Sequence, residues 1–295
     1  MEKEYSFSFI IPHKNCPDLL NRCLDSIPER DDVQIIVVDD NSDVDKKPSI
    51  NRKDVVLVLL DAEHSKGAGR ARNVGLKHAK GKWLLFADAD DYYTDFLSVI
   101  LDKYKSDEVT DVVYLNACVF DENGKTKLFS SDKLINDYIK GKKGAEMELR
   151  YSLWTPWSRM VKKYIVDNNK LLYDELPAGN DKMFCLYCSY YSKIISVESN
   201  VVYKYFRPAK GSITDKLRDS KMLDGLLDVR RRTILLYKDA GYKRMPSFWT
   251  ILFRTSYVKD LSSCAVLKKY IKVLRDSHIN IVVDQVRFFK NLFRL

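Results

Sequence analysis

The chain has 295 residues, 45% of them hydrophobic and 31% charged, with both signs interspersed and a formal net charge of +9. That composition excludes wholesale disorder and fits two domains, or one α/β domain with an appendage. No apolar run approaches the ~20 residues that span a bilayer, the charged Met1–Glu4 start is not a secretion signal, and no zinc-finger spacing or RNP-type strand points to nucleic acid, so the excess positive charge is read as facing phosphate or an anionic membrane surface in the cytosol.

Ser6 to Ile11 reads as an apolar strand ended by Pro12, and Pro17 to Ile27 has helical apolar spacing. Val33 to Val38 and Val55 to Leu60 are further strands, and Gly67 to Lys80 is a glycine-led loop and helix. The next strand begins at Trp83 and stops abruptly in Asp88-Ala89-Asp90-Asp91. Asp95 to Tyr104 is a helix that Thr94 would cap, and Asp111 to Phe120 is another strand. This alternation predicts a mostly parallel sheet with helices on both faces. After Phe120 the rhythm breaks: Met147 to Ile165 looks helical with Pro156 as an end or kink, Lys182 to Tyr191 is an apolar helix, and Ile194 to Phe206 is a strand pair or one long strand. Beyond about Leu217 the pattern is helical and rich in Lys and Arg. Cys185 and Cys188 form a lone C-x-x-C without the second pair that zinc needs, and are read as buried thiols in a reducing compartment.

Two acidic clusters, Asp39-Asp40 and Asp88-Ala89-Asp90, end strands, and ligands of parallel sheets bind at the carboxyl ends of strands. On a strand, Asp88 and Asp90 would point the same way. Two such carboxylates repel unless a cation lies between them, which suits a hard divalent ion that also holds substrate phosphates. The plain alternative is a solvated strand end followed by a helix cap.

Phe9-Ile10-Ile11-Pro12-His13-Lys14-Asn15, Ile36-Val37-Val38-Asp39-Asp40-Asn41-Ser42, Ala71-Arg72-Asn73-Val74-Gly75-Leu76 and Phe86-Ala87-Asp88-Ala89-Asp90-Asp91 occur in order, followed by Gly179-Asn180-Asp181 and by Tyr203-Lys204-Tyr205-Phe206-Arg207 through Gly211-Ser212-Ile213-Thr214. Together they resemble the GT-A-fold family 2 glycosyltransferases, bacterial inverting enzymes that use nucleotide sugars, over roughly residues 5 to 215. The resemblance implies an α/β, Rossmann-like mixed sheet flanked by helices, with residues 1–125 as the nucleotide-sugar half, 126–216 as the acceptor half and 217–295 as a basic helical extension. It implies that Pro12 and the neighbouring backbone of His13 and Asn15 line the base pocket. Asp40 accepts from the uracil N3–H, Arg72 lies by the nucleotide or its phosphates, and Asp88, with Ala89, meets the ribose and the metal region. Asp90, with Asp88, holds Mn²⁺ or Mg²⁺, and Asp181 is the base that deprotonates the acceptor hydroxyl.

The implied reaction is transfer of a hexose or N-acetylhexosamine from a UDP-sugar to a glycan or lipid-linked oligosaccharide in bacterial surface polysaccharide synthesis, at the inner face of the cell membrane. The rival is a catalytically silent relative acting as a scaffold. Two departures stand out: many relatives have Glu-Asp where this chain has Asn180-Asp181, which implies less like-charge repulsion on Asp181, and His13-Lys14 stands where relatives often carry Thr-Tyr. Asp181 also fits a plain helix cap, and Trp154 and Trp157 either stack on a sugar or pack in the core. In the last helix Val282, Val286, Phe289 and Phe293 recur at helical spacing, widened by Val283, Leu292 and Leu295, with Arg287, Lys290 and Arg294 to the other side. Such a helix lies in a membrane interface, or packs on the core or on a second copy of the chain in a homodimer.

Overall fold

The computed structural model describes residues 4–207, 220–251 and 261–292. Contacts cluster into two compact units: residues up to Glu175 with Asn180 through the end of the long final strand, and Leu176–Gly179 with the C-terminal helices.

The first unit runs β1 (Phe7–His13), α1 (Pro17–Asp25), β2 (Val33–Asp39), β3 (Val55–Leu59), α2 (Ala68–His78), β4 (Trp83–Phe86), β5 (Tyr92–Tyr93), α3 (Phe96–Tyr104), β6 (Val112–Phe120), β7 (Thr126–Leu128), α4 (Ser130–Ile139), α5 (Ala145–Ser152), β8 (Arg159–Lys162), α6 (Lys163–Asn168), α7 (Lys182–Tyr191) and β9 (Ile195–Phe206). They form one sheet of order β3-β2-β1-β4-β8-β6-β9-β5, with β7 on β6. β1, β2, β3 and β4 are parallel, β8 is antiparallel to both its neighbours, and β6 pairs in parallel with β9. β1, β2 and β4 are buried along their whole length, as their unbroken apolar runs require when helices cover both faces. One core layer joins Phe7, Phe9, Val37 and Leu85 to Leu24 and Leu97, and the other joins Ile10, Val38 and Phe86 to Ala71, Phe184 and Cys185.

Three expectations change and one open alternative closes. β1 continues through Pro12 to His13, because its pairing with β4 stops at Ile10 and a proline without an N–H is tolerated where one side of the strand is unpaired. Thr94 does not cap α3; its hydroxyl donates to the Val201 carbonyl at 2.7 Å. The helix expected over Met147–Ile165 breaks into α5, β8 and α6. α5 ends at Ser152, Pro156 opens a single 3-10 turn (Pro156–Ser158), and Arg159–Lys162, buried throughout, is drawn into the sheet between β4 and β6. Of the two readings for Ile194 to Phe206 the single strand is present, as β9 (Ile195–Phe206), whose register against β6 shifts near Asn116.

The second unit carries α8 (Ser220–Asp239), α9 (Ser263–Asp276) and α10 (Ile281–Leu292), packed around Leu223, Ile234, Phe248 and Tyr270. α10 turns an unexpected side inward. Asp284 is its fully buried residue and accepts from Ser247 Oγ, the Phe248 amide and Tyr270 Oη. Val282 and Val286 face outward, 59% and 46% exposed, with Ile281 and Val283 also exposed. The side chains of Phe289, Lys290 and Leu292, residues 293–295, and the expected Gly211–Thr214 motif lie outside the described residues. No described helix is long and apolar enough to cross a membrane.

Candidate active site

The carboxyl ends of β1, β2 and β4 and the N-terminal halves of α2 and α7 supply the acidic and basic side chains that the sequence singled out. Asp39, at the end of β2, is structural. Its buried carboxylate accepts from the Ser42 amide and hydroxyl and pairs with His13 Nδ1 at 2.7 Å. His13 Nε2 accepts from the Cys16 amide, which fixes the proton on Nδ1. Those bonds outweigh burial and hold Asp39 below the ordinary carboxylate range. Asn15 has a positive φ of 58° and ties the β1 and β2 loops together through Ser42 and Asp43.

Asp40 is buried, and its two oxygens accept one each from the Lys66 and Gly67 amides at 3.1 Å, just ahead of α2. Lys14 Nζ donates to the Asp40 carbonyl at 3.0 Å. Asp40 thus fixes the loop that leads into α2; Lys14 Nζ also reaches Oδ2 at 3.5 Å, and Oδ1 keeps lone-pair capacity for a further donor.

The Asp88-Ala89-Asp90 segment is a turn beyond β4, not a strand end, so the expected pleat does not align its acids. The Asp91 amide bonds back to the Asp88 carbonyl at 3.0 Å, and this turn brings the two carboxylates near each other. Three outside contacts pin it. Tyr203 Oη accepts from the Asp88 amide and donates to Asp91 Oδ2, Asp91 Oδ1 accepts from the Phe206 amide, and Arg22 Nη2 donates to the Asp90 carbonyl. Asp91 is fully buried, and burial and the two neighbouring acids push it well up. Only its own backbone amide donates to the Asp90 carboxylate among the described residues, and burial, helped by Asp88, pushes it to about 6.

These features fit a Mg²⁺- or Mn²⁺-type ion: all-oxygen donors, two clustered carboxylates, and one acid whose oxygens are held by nothing beyond its own amide. Among the described residues no three acids, histidines or cysteines gather to hold a metal. Among the described residues Asp88 and Asp90 would hold such an ion, with waters and substrate phosphates completing its shell, as octahedral Mg²⁺ sites commonly have.

Arg72 links this turn to α7. Its Nη2 donates to Asp88 Oδ1 at 2.5 Å, its Nη1 to Asn180 Oδ1 at 3.2 Å, and its guanidinium lies 5.3 Å from the Tyr173 ring centroid. Burial opposes its charge, but Asp88, Tyr173 and Asp181 hold its pKa above the usual value. Asp181 stands at the N-cap of α7 yet makes no capping hydrogen bond. Burial raises its pKa, Asp88 adds to that, and Arg72 opposes it. The uncharged Asn180 beside it engages Arg72, and burial is the largest influence on Asp181's titration.

Sequence reasoning passed over Asn73, Tyr173 and Arg22. Asn73 clamps the Tyr173 backbone in both directions, at 2.9 and 2.8 Å, and so sets the ring beneath Arg72. Its place beside Arg72 in the matched motif was the available signal. Trp157 is core, stacked on Tyr203 and Tyr205 at 4.9 and 5.4 Å, whereas Trp154 is 40% exposed with Lys182 Nζ over its ring. Cys185 and Cys188 are buried free thiols. Burial raises both, Cys185 to about 12, which leaves them unreactive.

The approach of α2 to the chain before α7 depends on Gly69, where a Cβ would strike the Asp174 carbonyl oxygen and crowd Asn180 Cβ at 3.1 Å. Gly69→Ala is expected to destabilise the protein by about 1–3 kcal/mol in urea unfolding. It should also lower turnover by shifting Asn180 and Asp181 from Arg72. Parent-like values for both would show that the contact relaxes without consequence.

Residues 8–163 match the family model described as Glycosyl transferase family 2. The chain is 26% identical over 241 residues to the UDP-Glc:α-D-GlcNAc-diphosphoundecaprenol β-1,3-glucosyltransferase WfaP of Escherichia coli, covering 78% of this chain and 90% of that protein. It is 25% identical to the GalNAc(5)-diNAcBac-PP-undecaprenol β-1,3-glucosyltransferase of Campylobacter jejuni, covering 90% and 85%. Against the poly(ribitol-phosphate) β-glucosyltransferase of Bacillus spizizenii identity is 26%, and the chain's 67% spans only 32% of that protein. Among solved structures, S. aureus TarS 1-349 in complex with UDP-GlcNAc superposes with a TM-score of 0.67 at 20% identity, covering 92% of this chain and 80% of that one. A Pyrobaculum calidifontis mannosyltransferase in complex with GDP-Man and Mn²⁺ gives 0.51 at 17% identity, covering 93% and 75%. These likenesses show the GT-A fold.

Proposed function

The chain belongs to glycosyl transferase family 2, and on that premise we propose that it is an inverting, cation-assisted enzyme of bacterial surface polysaccharide synthesis. It moves a hexose or N-acetylhexosamine from a UDP-sugar to a lipid-linked glycan acceptor. The observation that carries this reading is Asp181: an uncapped, half-buried carboxylate, electrostatically coupled through Arg72 to the Asp88 turn. The names of the E. coli and C. jejuni relatives, glucosyltransferases acting on diphosphoundecaprenol-linked sugars, support the acceptor class.

In this reading Asp40, with Pro12 and the backbone of His13 and Asn15, receives the uracil. Asp88 and Ala89 meet the ribose, and Asp88 and Asp90 would hold the cation. When bound, the cation supplies positive charge against the diphosphate as its bond to the sugar breaks. Arg72 adds fixed positive charge on the same side and keeps Asp88 in place. Asp181 takes the proton from the acceptor hydroxyl as that oxygen bonds to the anomeric carbon from the face opposite the departing UDP, so the configuration inverts. Testing UDP-sugars one at a time for Mn²⁺-dependent transfer or hydrolysis checks the whole assignment; a protein that turns over none of them and gains no thermal stability from UDP with Mn²⁺ would belong to the scaffold reading.

We also place the protein at the inner membrane face. The outward Val282 and Val286 of α10 favour this, as do exposed Lys268, Lys272 and Arg275 beside exposed Leu267 and Ile271 on α9. Each basic residue near anionic lipid contributes about 1 kcal/mol. The protein is expected to co-sediment with phosphatidylglycerol-containing vesicles at low salt and to release at high salt, and a Val282→Asp, Val286→Asp double variant should stay in the supernatant. Failure of the parent to co-sediment, or undiminished binding by the double variant, would assign this face to another partner, such as a second copy of the chain.

A further inference from the structure

Arg22 lies in the last turn of α1, where a basic side chain is ordinarily explained by the negative end of the helix dipole. Its surroundings require more than that. The guanidinium carbon lies 5.0, 5.4 and 6.0 Å from the ring centroids of Tyr92, Phe120 and Phe206. Those rings pack on one another, Tyr92 on Phe120 at 5.1 Å and Phe120 on Phe206 at 5.2 Å. Arg22 forms no ion pair among the described residues, its Nε is buried without a partner, and its one hydrogen bond runs from Nη2 to the backbone carbonyl of Asp90 at 2.5 Å. A half-buried arginine normally takes a carboxylate in a two-pronged grip. This one sits among three aromatic rings and spends its donor on the turn that presents Asp88 and Asp90.

We infer that Arg22 is a positioning residue for the donor site: it fixes the Asp90 peptide, and with it the direction of the Asp90 carboxylate, while lending positive charge to the acid pair. The inference rests on the reading that Asp90 faces the donor's cation. The other pins of the turn, Tyr203 and the Phe206 amide, act on residues 88 and 91, so Arg22 alone among the described residues restrains the intervening peptide from outside the turn. The enclosing rings keep the guanidinium from swinging out to solvent, as a lysine on a flexible stem would.

The test is Arg22→Met, which keeps an apolar stem of similar length among the rings and removes both donor and charge. Binding of UDP is measured by calorimetry with Mn²⁺ and again in EDTA, and free Mn²⁺ is followed by its electron paramagnetic resonance signal. The Met variant is expected to lose about 10–100-fold in Mn²⁺-dependent affinity, the range for groups that orient metal ligands, with metal-free UDP binding and melting temperature close to parent. Arg22→Lys should fall between the two, and it carries the same criteria if the Met variant does not fold. Unchanged Mn²⁺ affinity, or an equal loss with and without metal, would overturn the inference. Asp90→Ala in the same assay separates the two readings: if it too leaves Mn²⁺-dependent binding intact, the assignment of Asp90 fails; if only Arg22→Met does, the role of Arg22 alone fails.

Discussion

Asp181→Asn is expected to reduce turnover by about 10²–10⁴-fold, the contribution of a positioned general base, while leaving the affinity for UDP as it was. Asparagine keeps the shape and loses only the ability to take a proton. Since Asp181 makes no capping bond to α7, the substitution leaves the helix start unchanged. The parent's pH profile supplies a second signature. Burial and Asp88 hold this carboxyl above the ordinary range, so as pH falls through that raised value the carboxylate gains a proton and kcat declines. The Asn variant should lose that acid limb. Near-parent turnover would remove Asp181 from the role and turn attention to Glu175, which here pairs with Arg70 and Lys66 at 3.2 and 3.7 Å.

Asp90→Ala should behave in the opposite way, abolishing transfer by weakening the donor complex itself. Charge stabilisation by a bound cation is worth several kcal/mol, so its loss costs roughly three decades in turnover at about 1.4 kcal/mol per decade. In calorimetry the variant's UDP affinity is expected to be the same with Mn²⁺ as in EDTA, while the parent's differs strongly. The protein itself should tolerate the change. A carboxyl raised to about 6 favours the fold most below its unfolded pKa and loses that contribution as pH rises through 6, so removing it relieves a cost near neutrality. Equal Mn²⁺-dependent binding by parent and variant would exclude Asp90 as a cation ligand.

The parallel half of the sheet was legible because β1, β2 and β4 are buried on both faces and read as unbroken apolar runs. β8 was not: Arg159 and Lys162 look like surface residues, but Arg159 is buried on the carbonyls of Cys185 and Leu153, and Lys162 on that of Asp107 and the Trp83 ring. Polar groups satisfied by distant backbone leave no local pattern. The same limit applies to the site. Asp40, Arg72, Asp88, Asp90 and Asp181 were named from motifs, whereas Arg22, Asn73 and Tyr203, which brace the surroundings of Asp88, Asp90 and Arg72, work through contacts 68 to 115 residues away in sequence. Spacing also gave the wrong reason for one correct neighbourhood, since a turn, and not strand pleating, brings Asp88 near Asp90.

Asp91 bears on how the chain folds. Its carboxylate is sealed from water, and the donors that satisfy it, Tyr203 Oη and the Phe206 amide, lie 112 and 115 residues further along the chain. A nascent polypeptide that has emerged only as far as β6 has all four parallel strands β1 to β4, but no partner for this acid. Burying a carboxylate without hydrogen bonds is costly, so the turn stays open to solvent until β9 pairs with β6. Contacts of such long sequence separation form late. The Asp88–Asp91 turn therefore takes its final shape among the last events of folding, after the sheet beneath it is built, and a chain truncated before Phe206 should leave that turn unformed above an otherwise ordered parallel core.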